Sequence, residues 1–365
     1  MRALKGLSIG LLTLSLALAS WFGYGWWRFI HTPLIPKQAE PKIVELNPGT
    51  GMLYLQRELT RQGLLNHPYY FAALVKMNNV ASRLKAGEYL IPAGTTPPML
   101  LNILTSGKVV QHQLTLIEGW NSQQILAALA ANPAIAHTQN LDVQKLRKIL
   151  AIEEPSIEGW FYPDTYSFTK GTSDINFLAR AHAIMRQHLL TEWQSRAPEL
   201  PLQNPYQALI LASLIEKEAK MPAERALVSG VIIKRLQLNM RLQIDAAVIY
   251  GLGDNYAGKL HKRDLALATP YNTYLNKGLP PTPIAIPSLA SLKAALHPII
   301  SANIFYVARG DGSHYFSTNL SNHNAAVQAY LRNQPSVLPL QPHGVYSINL
   351  FGINQMATQI CSRFH

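Results

Sequence analysis

Two glutamates near the end of an apolar segment are the first candidates for chemistry. Counted at 3.6 residues per turn, the apolar stripe of a helix here passes through Leu211, Leu214 and Ile215. Glu218 continues this i, i+3, i+4, i+7 spacing, whereas Glu216 points the other way, where a solvated or ion-paired role is expected. Burial raises the pKa of a carboxyl and favours the protonated form that a general acid needs. A buried glutamate paired with Lys or Arg fits the same pattern.

A second candidate region is rich in aromatic and amide side chains. It comprises Pro270-Tyr271-Asn272-Thr273-Tyr274, Gly278-Leu279-Pro280-Pro281 and the polar segment Arg241-Leu242-Gln243-Ile244-Asp245. Aromatic faces stack on the apolar faces of sugar rings, while amides and carboxylates bond to hydroxyl and N-acetyl groups. The segment therefore suits a sugar, although a rigid loop without a ligand would have the same composition.

Composition and charge narrow the function classes. The chain has 365 residues, a formal charge of +12 and one cysteine, Cys361, so it cannot form an intramolecular disulfide. We find no zinc-ligand spacing and no His-Glu-x-x-His motif, and we expect neither a metal nor a cofactor. No nucleic-acid-binding signature is present, so we expect no nucleic acid partner. A basic body suits an acidic polymer or an anionic membrane surface.

The N-terminus predicts a membrane anchor. After a short stub, residues 1–5, the chain carries no charge from Gly6 to Trp27, about 22 residues, and about 20 cross a bilayer as a helix. The preceding basic residues predict a cytoplasmic N-terminus with the body outside the cytoplasm. A signal peptide cleaved after Ala17-Leu18-Ala19 is the alternative, and it also exports the body. The Pro-spaced residues 28–42 predict an extended tether.

The remaining patterns predict an α+β fold, with a small unit over residues 43–110 and a larger one over 111–333. The small unit combines strands at 43–46 and 85–92 with helices between them and after Pro97. The larger unit has helices over 174–194, 206–220 and 228–238, strand-like residues from Leu242 to Tyr250, and a β-hairpin over 304–318. Residues 334–365 begin with spaced prolines and predict an extended tail.

Several of these segments together resemble a known family, the endolytic murein transglycosylases, also called MltG or YceG-like proteins. The matching segments occur in the family's order and reach to about Leu331: Glu118-Gly119, Glu158-Gly159-Trp160-Phe161, Pro163-Asp164-Thr165, Ala212 to Glu218, Arg241-Leu242-Gln243, Asp245, Val248-Ile249-Tyr250-Gly251, Tyr271 to Tyr274, Gly278-Leu279-Pro280-Pro281, Phe316 to Asn319 and His323-Asn324.

The resemblance implies a lyase anchored in the inner membrane, with its catalytic domain in the periplasm. The enzyme would cut nascent peptidoglycan within the glycan strand, leave 1,6-anhydro-N-acetylmuramic ends and terminate strand elongation. It further implies a LysM-like subdomain over residues 43–110, and Glu218 as the catalytic glutamate. Glycan polymerases and transpeptidases are the partners expected from the family.

The implied reaction needs one carboxyl. Ordinary glycosidases use two carboxylates, but the substrate's own C6 hydroxyl can replace water, so Glu218 would act as acid and then as base. We assign substrate positioning or oxocarbenium stabilisation to Gln243, Asp245, Tyr271, Asn272 and Tyr274. The alternatives are a tethered peptidoglycan-binding scaffold without catalysis and a muramidase-type hydrolase, for which Asp245 would be the second carboxylate.

One loop departs from the family pattern. After Pro281 the family continues with Gly-Pro-Ile-x-Asn-Pro-Gly, whereas this chain has Thr282, Ile286 and Ser288 at the small or amide positions. Substrate contacts in that loop are therefore not carried over.

Overall fold

The computed structural model describes residues 2–46, 51–80, 83–139 and 141–332. Its helices are α1 (Arg2–His31), α2 (Met52–Arg61), α3 (Pro68–Met77), α4 (Pro97–Ser106), α5 (Ser122–Ala130), α6 (Val143–Ile149), α7 (Asp174–Gln194), α8 (Pro205–Glu218), α9 (Arg225–Gln237), α10 (Asp245–Leu252), α11 (Lys262–Leu265), α12 (Leu289–Leu296) and α13 (Leu320–Arg332). Its strands are β1 (Lys42–Leu46), β2 (Gly87–Ile91), β3 (His112–Thr115), β4 (Ile135–Ala136), β5 (Thr165–Phe168), β6 (Thr172–Ser173), β7 (Phe305–Ala308) and β8 (His314–Ser317).

Within these described ranges the strands pair into four two-stranded sheets, β1–β2, β3–β5, β4–β6 and β7–β8. The β1–β2 pair is antiparallel with Val44 opposite Tyr89. The β7–β8 hairpin is antiparallel with Tyr306 opposite Phe316. Small separate sheets among many helices confirm the mixed helix and strand content predicted by the sequence.

The chain divides into two compact units. Among the described residues, unit 1 comprises those within 2–113, 134–136 and 167–172, and unit 2 comprises those within 114–133, 137–166 and 173–332. The first division falls after Gln113, close to the boundary predicted at residue 110.

Unit 1 has its own apolar core. Residues from β1, α2, α3, β2 and α4 fill it, including Val44, Leu59, Phe71, Tyr89 and Leu104. Helix α4 begins with Pro97 at its first position, where a proline's missing N–H costs nothing, and ends at the left-handed Gly107 (φ 71°). The strands and helices predicted for this unit are confirmed, while the turn expected at residues 47–49 lies outside the described residues.

The N-terminal segment differs from the expected free tether. Helix α1 continues to His31, and Ile35 is 1% exposed in the core of unit 1. Two backbone hydrogen bonds connect this segment to the turn that follows β2. The Leu34 amide donates to the Thr95 carbonyl, and the Gly94 amide donates to the Ile35 carbonyl. The segment packs on unit 1 rather than extending into solvent, because packing removes apolar side chains such as Ile35 from water. Among the described residues, no helix meets the combined length and hydropathy expected of a membrane span.

Unit 2 is built mainly from helices. Helices α7 and α12 pack on α8, and α12 also packs on α9. A side chain caps the N-terminus of each of α7, α8 and α12. Ser173 accepts from the amide of Asn176 in α7, Asn204 from that of Gln207 in α8, and Ser288 from that of Ser291 in α12. The predicted helices over 174–194, 206–220 and 228–238 and the hairpin over 304–318 are confirmed to within a few residues.

The strand-like interpretation of residues 242–250 is wrong. Asp245 is the first residue of helix α10, and Ile244 precedes it in an extended conformation. β-Branched residues such as Val248 have only a small penalty in helices, and burial outweighs it. The tail over 334–365, with Cys361, lies outside the described residues.

Candidate active site

The last turn of α8 sends three consecutive side chains to three different partners. Glu216 accepts from the Arg225 guanidinium at 3.2 Å and from the Ser288 amide at 2.9 Å, and its side chain is 6% exposed. Lys217 Nζ donates to the Gly119 carbonyl at 3.2 Å. Glu218 faces the β7–β8 hairpin. Glu216 is therefore ion-paired as expected, but it is buried rather than solvated.

Glu218 is half-buried and lies in a polar cluster. Tyr306 Oη donates a hydrogen bond of 2.9 Å to Glu218 Oε2, and the amide of Ala246 donates to the same carboxyl. Burial and the nearby Asp245 carboxylate raise the pKa of Glu218 to about 7, although the two hydrogen bonds and Arg235 oppose this. Both protonation states are thus accessible near neutral pH, as an acid that later becomes a base requires.

Asp245 and Tyr274 form the second part of this cluster. Tyr274 Oη donates to Asp245 Oδ1 at 2.6 Å, and Asp245 is 7% exposed. Asp245 opens α10, where the helix dipole favours negative charge. Tyr274 also packs against the small apolar cluster around Val248 and Leu252. The structure therefore brings together three of the predicted site residues, Glu218, Asp245 and Tyr274.

A buried arginine completes the charges of the cluster. Arg235 donates to the carbonyls of Ile304 (2.7 Å) and Leu242 (2.6 Å), and its guanidinium lies 5.2 Å from the Phe305 ring centroid. Burial lowers the pKa of Arg235, while the phenols of Tyr306 and Tyr274 and the Glu218 carboxyl act in the opposite direction. The cation thus links α9 to the hairpin and to the segment before α10.

Gln243 occupies a strained backbone position beside this arginine. Its φ is 54°, in the left-handed region that residues other than glycine rarely adopt. Its amide N–H donates to the Thr273 carbonyl at 3.1 Å, and its side-chain oxygen lies 3.5 Å from an Arg235 nitrogen. The side chain remains exposed, so it is available to a ligand.

The loop after α11 is held by its own polar groups. Asn272 is 0% exposed, and its side-chain amide donates to the carbonyls of Leu265 and Leu267 at 2.9 and 2.7 Å. The hydroxyl of Thr273 accepts from the Ile244 amide at 2.8 Å. Asn272 and Thr273 therefore fix the loop conformation that presents Tyr274 to Asp245.

Tyr271 points to a different group of residues. Its hydroxyl bonds to the Thr282 hydroxyl at 2.8 Å, and its ring packs edge-on against Tyr250 with centroids 4.9 Å apart. Gly251 permits this approach, because a Cβ there would lie 2.9 Å from the Tyr271 Cβ. Thus Tyr271 does not share the Tyr274–Asp245 contact.

Tyr250 connects Tyr271 to a second buried carboxyl. Glu158 is 1% exposed, and its Oε2 accepts hydrogen bonds from Tyr250 Oη at 3.0 Å and from the Ser122 hydroxyl at 2.9 Å. Its Oε1 accepts from the Ser122 amide at 2.9 Å. Burial raises the pKa of Glu158, and these donors oppose the shift. Both carboxylate oxygens of Glu158 are therefore occupied by hydrogen bonds that hold the fold together.

The residues that depart from the family pattern have structural partners here. The Thr282 hydroxyl bonds to Tyr271 and to the Pro283 carbonyl, Ile286 is buried, and Ser288 caps α12 while bonding to Glu216. This loop is held by side-chain contacts of its own.

The sequence interpretation missed Arg235, Tyr306 and Thr273. A signal for Arg235 exists, because Val228, Val231, Ile232 and Arg235 follow the i, i+3, i+4, i+7 spacing that singled out Glu218. Thr273 lies in the aromatic and amide loop singled out by the sequence, but no pattern indicates its partner Ile244, 29 residues away, or the partner of Tyr306, 88 residues away. Within the part of the chain that the structure describes, no three His, Cys, Asp or Glu side chains gather as a metal site.

A half-buried carboxyl whose pKa is raised to about 7, with a phenol and a second carboxylate beside it, defines an acid–base site. The chain belongs to the YceG-like family, whose model matches residues 44–329. It is 28% identical over 309 residues to the endolytic murein transglycosylase of Bacillus subtilis, covering 80% of this chain and 85% of the relative.

Two further proteins are similar. The endolytic murein transglycosylase of Streptococcus pneumoniae is 27% identical over 356 residues, or 87% of this chain, and the chain spans 64% of that relative's length. A YceG-like protein of Listeria monocytogenes, solved by crystallography, is 28% identical, with a TM-score of 0.49 over 78% of this chain and 98% of the other.

Proposed function

We propose that this protein is an endolytic murein transglycosylase, a lyase that cleaves the β-1,4 bond between N-acetylmuramic acid and N-acetylglucosamine within glycan strands. The observation that carries the proposal is the position of the Glu218 carboxyl, which accepts a 2.9 Å hydrogen bond from Tyr306 and lies near the Asp245 carboxylate. Burial and Asp245 raise the pKa of Glu218 to about 7. The family membership and the named relatives from Bacillus subtilis and Streptococcus pneumoniae support the same reaction.

In the first step, protonated Glu218 donates its proton to the glycosidic oxygen as the bond from that oxygen to C1 of the muramic residue breaks. The C6 hydroxyl of the same residue then attacks C1 and forms the 1,6-anhydro ring. The Glu218 carboxylate accepts the C6 hydroxyl proton and returns to its starting state. No water is consumed, and no second catalytic carboxyl is needed.

The surrounding residues have distinct roles in this proposal. Asp245 keeps Glu218 protonated before the reaction and stabilises positive charge that develops at C1. Gln243 and Tyr274 contact the sugar next to Glu218. Tyr271 and Asn272 act by shaping the loop, since their polar atoms bond to Thr282 and to backbone carbonyls.

We also propose an exported, membrane-anchored protein with a cytoplasmic N-terminus. The uncharged run from Gly6 to Trp27 and the exposed leucines of α1 support an anchor. The pair β1–β2 with α2 and α3 between its strands, which has a core of its own, is our candidate for a LysM-like glycan-binding element. Cleavage by this exported, membrane-anchored enzyme would terminate nascent strands beside the glycan polymerases and transpeptidases that make them.

The test is product analysis by mass spectrometry. Uncrosslinked glycan strands are incubated with the full chain in detergent, comparing wild type, Glu218→Gln and the control Glu153→Gln, an exposed glutamate of unit 2. We expect new 1,6-anhydro ends with wild type and the control, and none with Glu218→Gln. Reducing ends would indicate a muramidase-type hydrolase instead, and binding without cleavage by all three proteins would indicate a scaffold.

A further inference from the structure

Unit 1 carries a groove of about 780 Å³ between the end of α1 and the start of α3. Its lining includes Trp21, Phe22 and Tyr24 from α1 and Tyr69 and Tyr70 from α3. The Tyr70 ring forms the floor, with its centroid 5.4 Å from that of Phe22. Gly25 allows the Tyr70 hydroxyl to touch the α1 backbone, because a Cβ there would lie 2.7 Å from that oxygen.

The outer rings of this groove remain in contact with solvent. Tyr69 is 88% exposed and Trp21 is 73% exposed, while Tyr70 packs inward. Large aromatic side chains grouped at a surface in this way usually mark a binding surface. Trp and Tyr are also the residues enriched where a bilayer meets water, because their rings are apolar and their N–H or O–H groups are polar.

Three polar side chains of the groove are free to bind a ligand, although the His67 ring also packs against Phe29 and Tyr70. Within the described part of the chain, the side chains of Arg28, Asn66 and His67 form no hydrogen bond or ion pair. The lining contains no Asp or Glu, so Arg28 is its single formal charge. A cation, an amide and an imidazole beside aromatic rings form a suitable environment for an anionic phosphate ester attached to an apolar chain.

The groove is continuous with an apolar surface. Leu11, Leu14 and Leu18 of α1 are 57–61% exposed, and they precede Trp21 on the same helix. One occupant therefore has to match exposed leucines at one end and aromatic and cationic groups at the other. A phospholipid layer has this order, from acyl chains to headgroups.

We propose that this groove seats the headgroup of an anionic phospholipid, so that unit 1 rests in the headgroup layer of the membrane. Arg28 binds the phosphate, Asn66 and His67 bond to its oxygens or to the glycerol, and the rings of Trp21, Tyr24 and Tyr69 lie among the headgroups. The inference rests on the proposed membrane location, and it adds a second, lipid-specific contact made by the folded unit.

A nitroxide at residue 69 tests this contact in the full chain. Cys361 is the chain's one cysteine, so Cys361→Ser with Tyr69→Cys places a single label at an exposed position. The matched control is Lys76→Cys, exposed near the other end of α3. Both proteins are reconstituted in vesicles of phosphatidylcholine alone or mixed with phosphatidylglycerol, and accessibility to oxygen and to a water-soluble nickel complex is measured.

In the mixed vesicles we expect the label at residue 69 to lose accessibility to the nickel complex while the label at 76 keeps it. Adding Arg28→Gln should abolish the difference between the two vesicle types, and inorganic phosphate alone should leave the label unchanged. Equal nickel accessibility at both positions would overturn the proposal. Shielding that is independent of phosphatidylglycerol and Arg28 would overturn the anionic headgroup, and a response to phosphate alone would indicate a free-anion site instead.

The result is independent of catalysis. Cleavage of glycan strands is therefore measured separately, on wild type and on Lys76→Cys, because Lys76 lies in neither the groove nor the Glu218 cluster. Loss of cleavage with normal shielding would contradict the proposed function only, and normal cleavage with an accessible label would contradict the lipid site only.

Discussion

Tyr306 on the β-hairpin donates a 2.9 Å hydrogen bond to Glu218, the last residue of α8. Burial and the neighbouring carboxyl raise the pKa of the Tyr306 phenol well above its usual range, so the hydroxyl remains a donor near neutral pH. Its ring packs edge-on against His314, with centroids 5.4 Å apart, and His314 bonds to Glu224 at 2.7 Å. The hairpin therefore positions the hydroxyl that orients the proposed acid.

The variant Tyr306→Phe should move the pH profile of cleavage upward. The hydroxyl stabilises the Glu218 carboxylate and so lowers its pKa. Cleavage needs protonated Glu218 and declines as the pH rises through that pKa, so removing the donor should shift the decline to higher pH. A hydrogen bond to a charged group is worth about 1.5 kcal/mol or more, which corresponds to about one pH unit.

The measurement is the initial rate of anhydro-end formation from pH 5 to pH 9. Tyr315→Phe is a suitable control, because Tyr315 lies on the neighbouring strand and packs with Arg309 rather than with Glu218. A profile that keeps its midpoint but loses amplitude would show that Tyr306 acts by a route other than the pKa of Glu218.

The variant Asp245→Asn should move the same profile in the opposite direction. The Asp245 charge raises the pKa of Glu218, so neutralising it should bring the decline in rate to lower pH. Tyr274→Phe is the comparison, since it removes the 2.6 Å hydrogen bond but leaves the carboxylate in place. If Asp245 instead activated water, Asp245→Asn would abolish cleavage at every pH, and wild type would give reducing ends.

Local patterns in the sequence were sufficient for the parts of the fold that depend on neighbours in the chain. The apolar stripe predicted helix α8, and the turn residues 309–312 predicted the β7–β8 hairpin. Residues 208–215 of α8 are buried on every side, however, so helical phase did not separate Glu218 from the buried Glu216. These predictions depend on helical period and turn chemistry, which a single segment contains.

Contacts between distant segments could not be predicted in this way. Nothing near Tyr306 indicates that Glu218 lies opposite it, and Val248 and Ile249 suggested a strand where burial produces α10. Asn272 was assigned to the substrate by residue type, yet its amide is fully used by the Leu265 and Leu267 carbonyls. Residue type therefore identified a loop that contacts the Glu218 cluster through Tyr274 and Asp245, but only packing shows which side chains remain available.

Glu218 should also make stability depend on pH. Its pKa in the fold is about 7, against an ordinary value of 4.5, so its contribution to stability is full below 4.5 and is lost as the pH rises through 7. Glu218→Gln has no such loss. Between pH 5 and pH 8 its free energy of unfolding should therefore gain about 1 to 3 kcal/mol relative to wild type, the range reflecting partial exposure.

Chemical denaturation of both proteins at each pH measures this difference. Glu153→Gln, an exposed position, serves as the control and should show no pH-dependent gain. A constant difference between wild type and Glu218→Gln across the range would mean that Glu218 titrates as an ordinary exposed carboxyl, and the acid role would then lose its physical basis.

Ser288 tests how the helix that carries the acid is held. Its hydroxyl caps α12 through the Ser291 amide and also donates to the buried Glu216, two residues before Glu218. Ser288→Ala should lose both contacts and also the 2.9 Å hydrogen bond that the hydroxyl accepts from Arg225, at a cost of about 2 kcal/mol in the free energy of unfolding. Ser173→Ala removes a cap of the same kind from α7, with no glutamate on its hydroxyl, and should cost about 1 kcal/mol. Equal losses in thermal or denaturant unfolding would show that Glu216 gains nothing from the Ser288 hydroxyl, and that Arg225 and the amide of residue 288 are sufficient to hold Glu216.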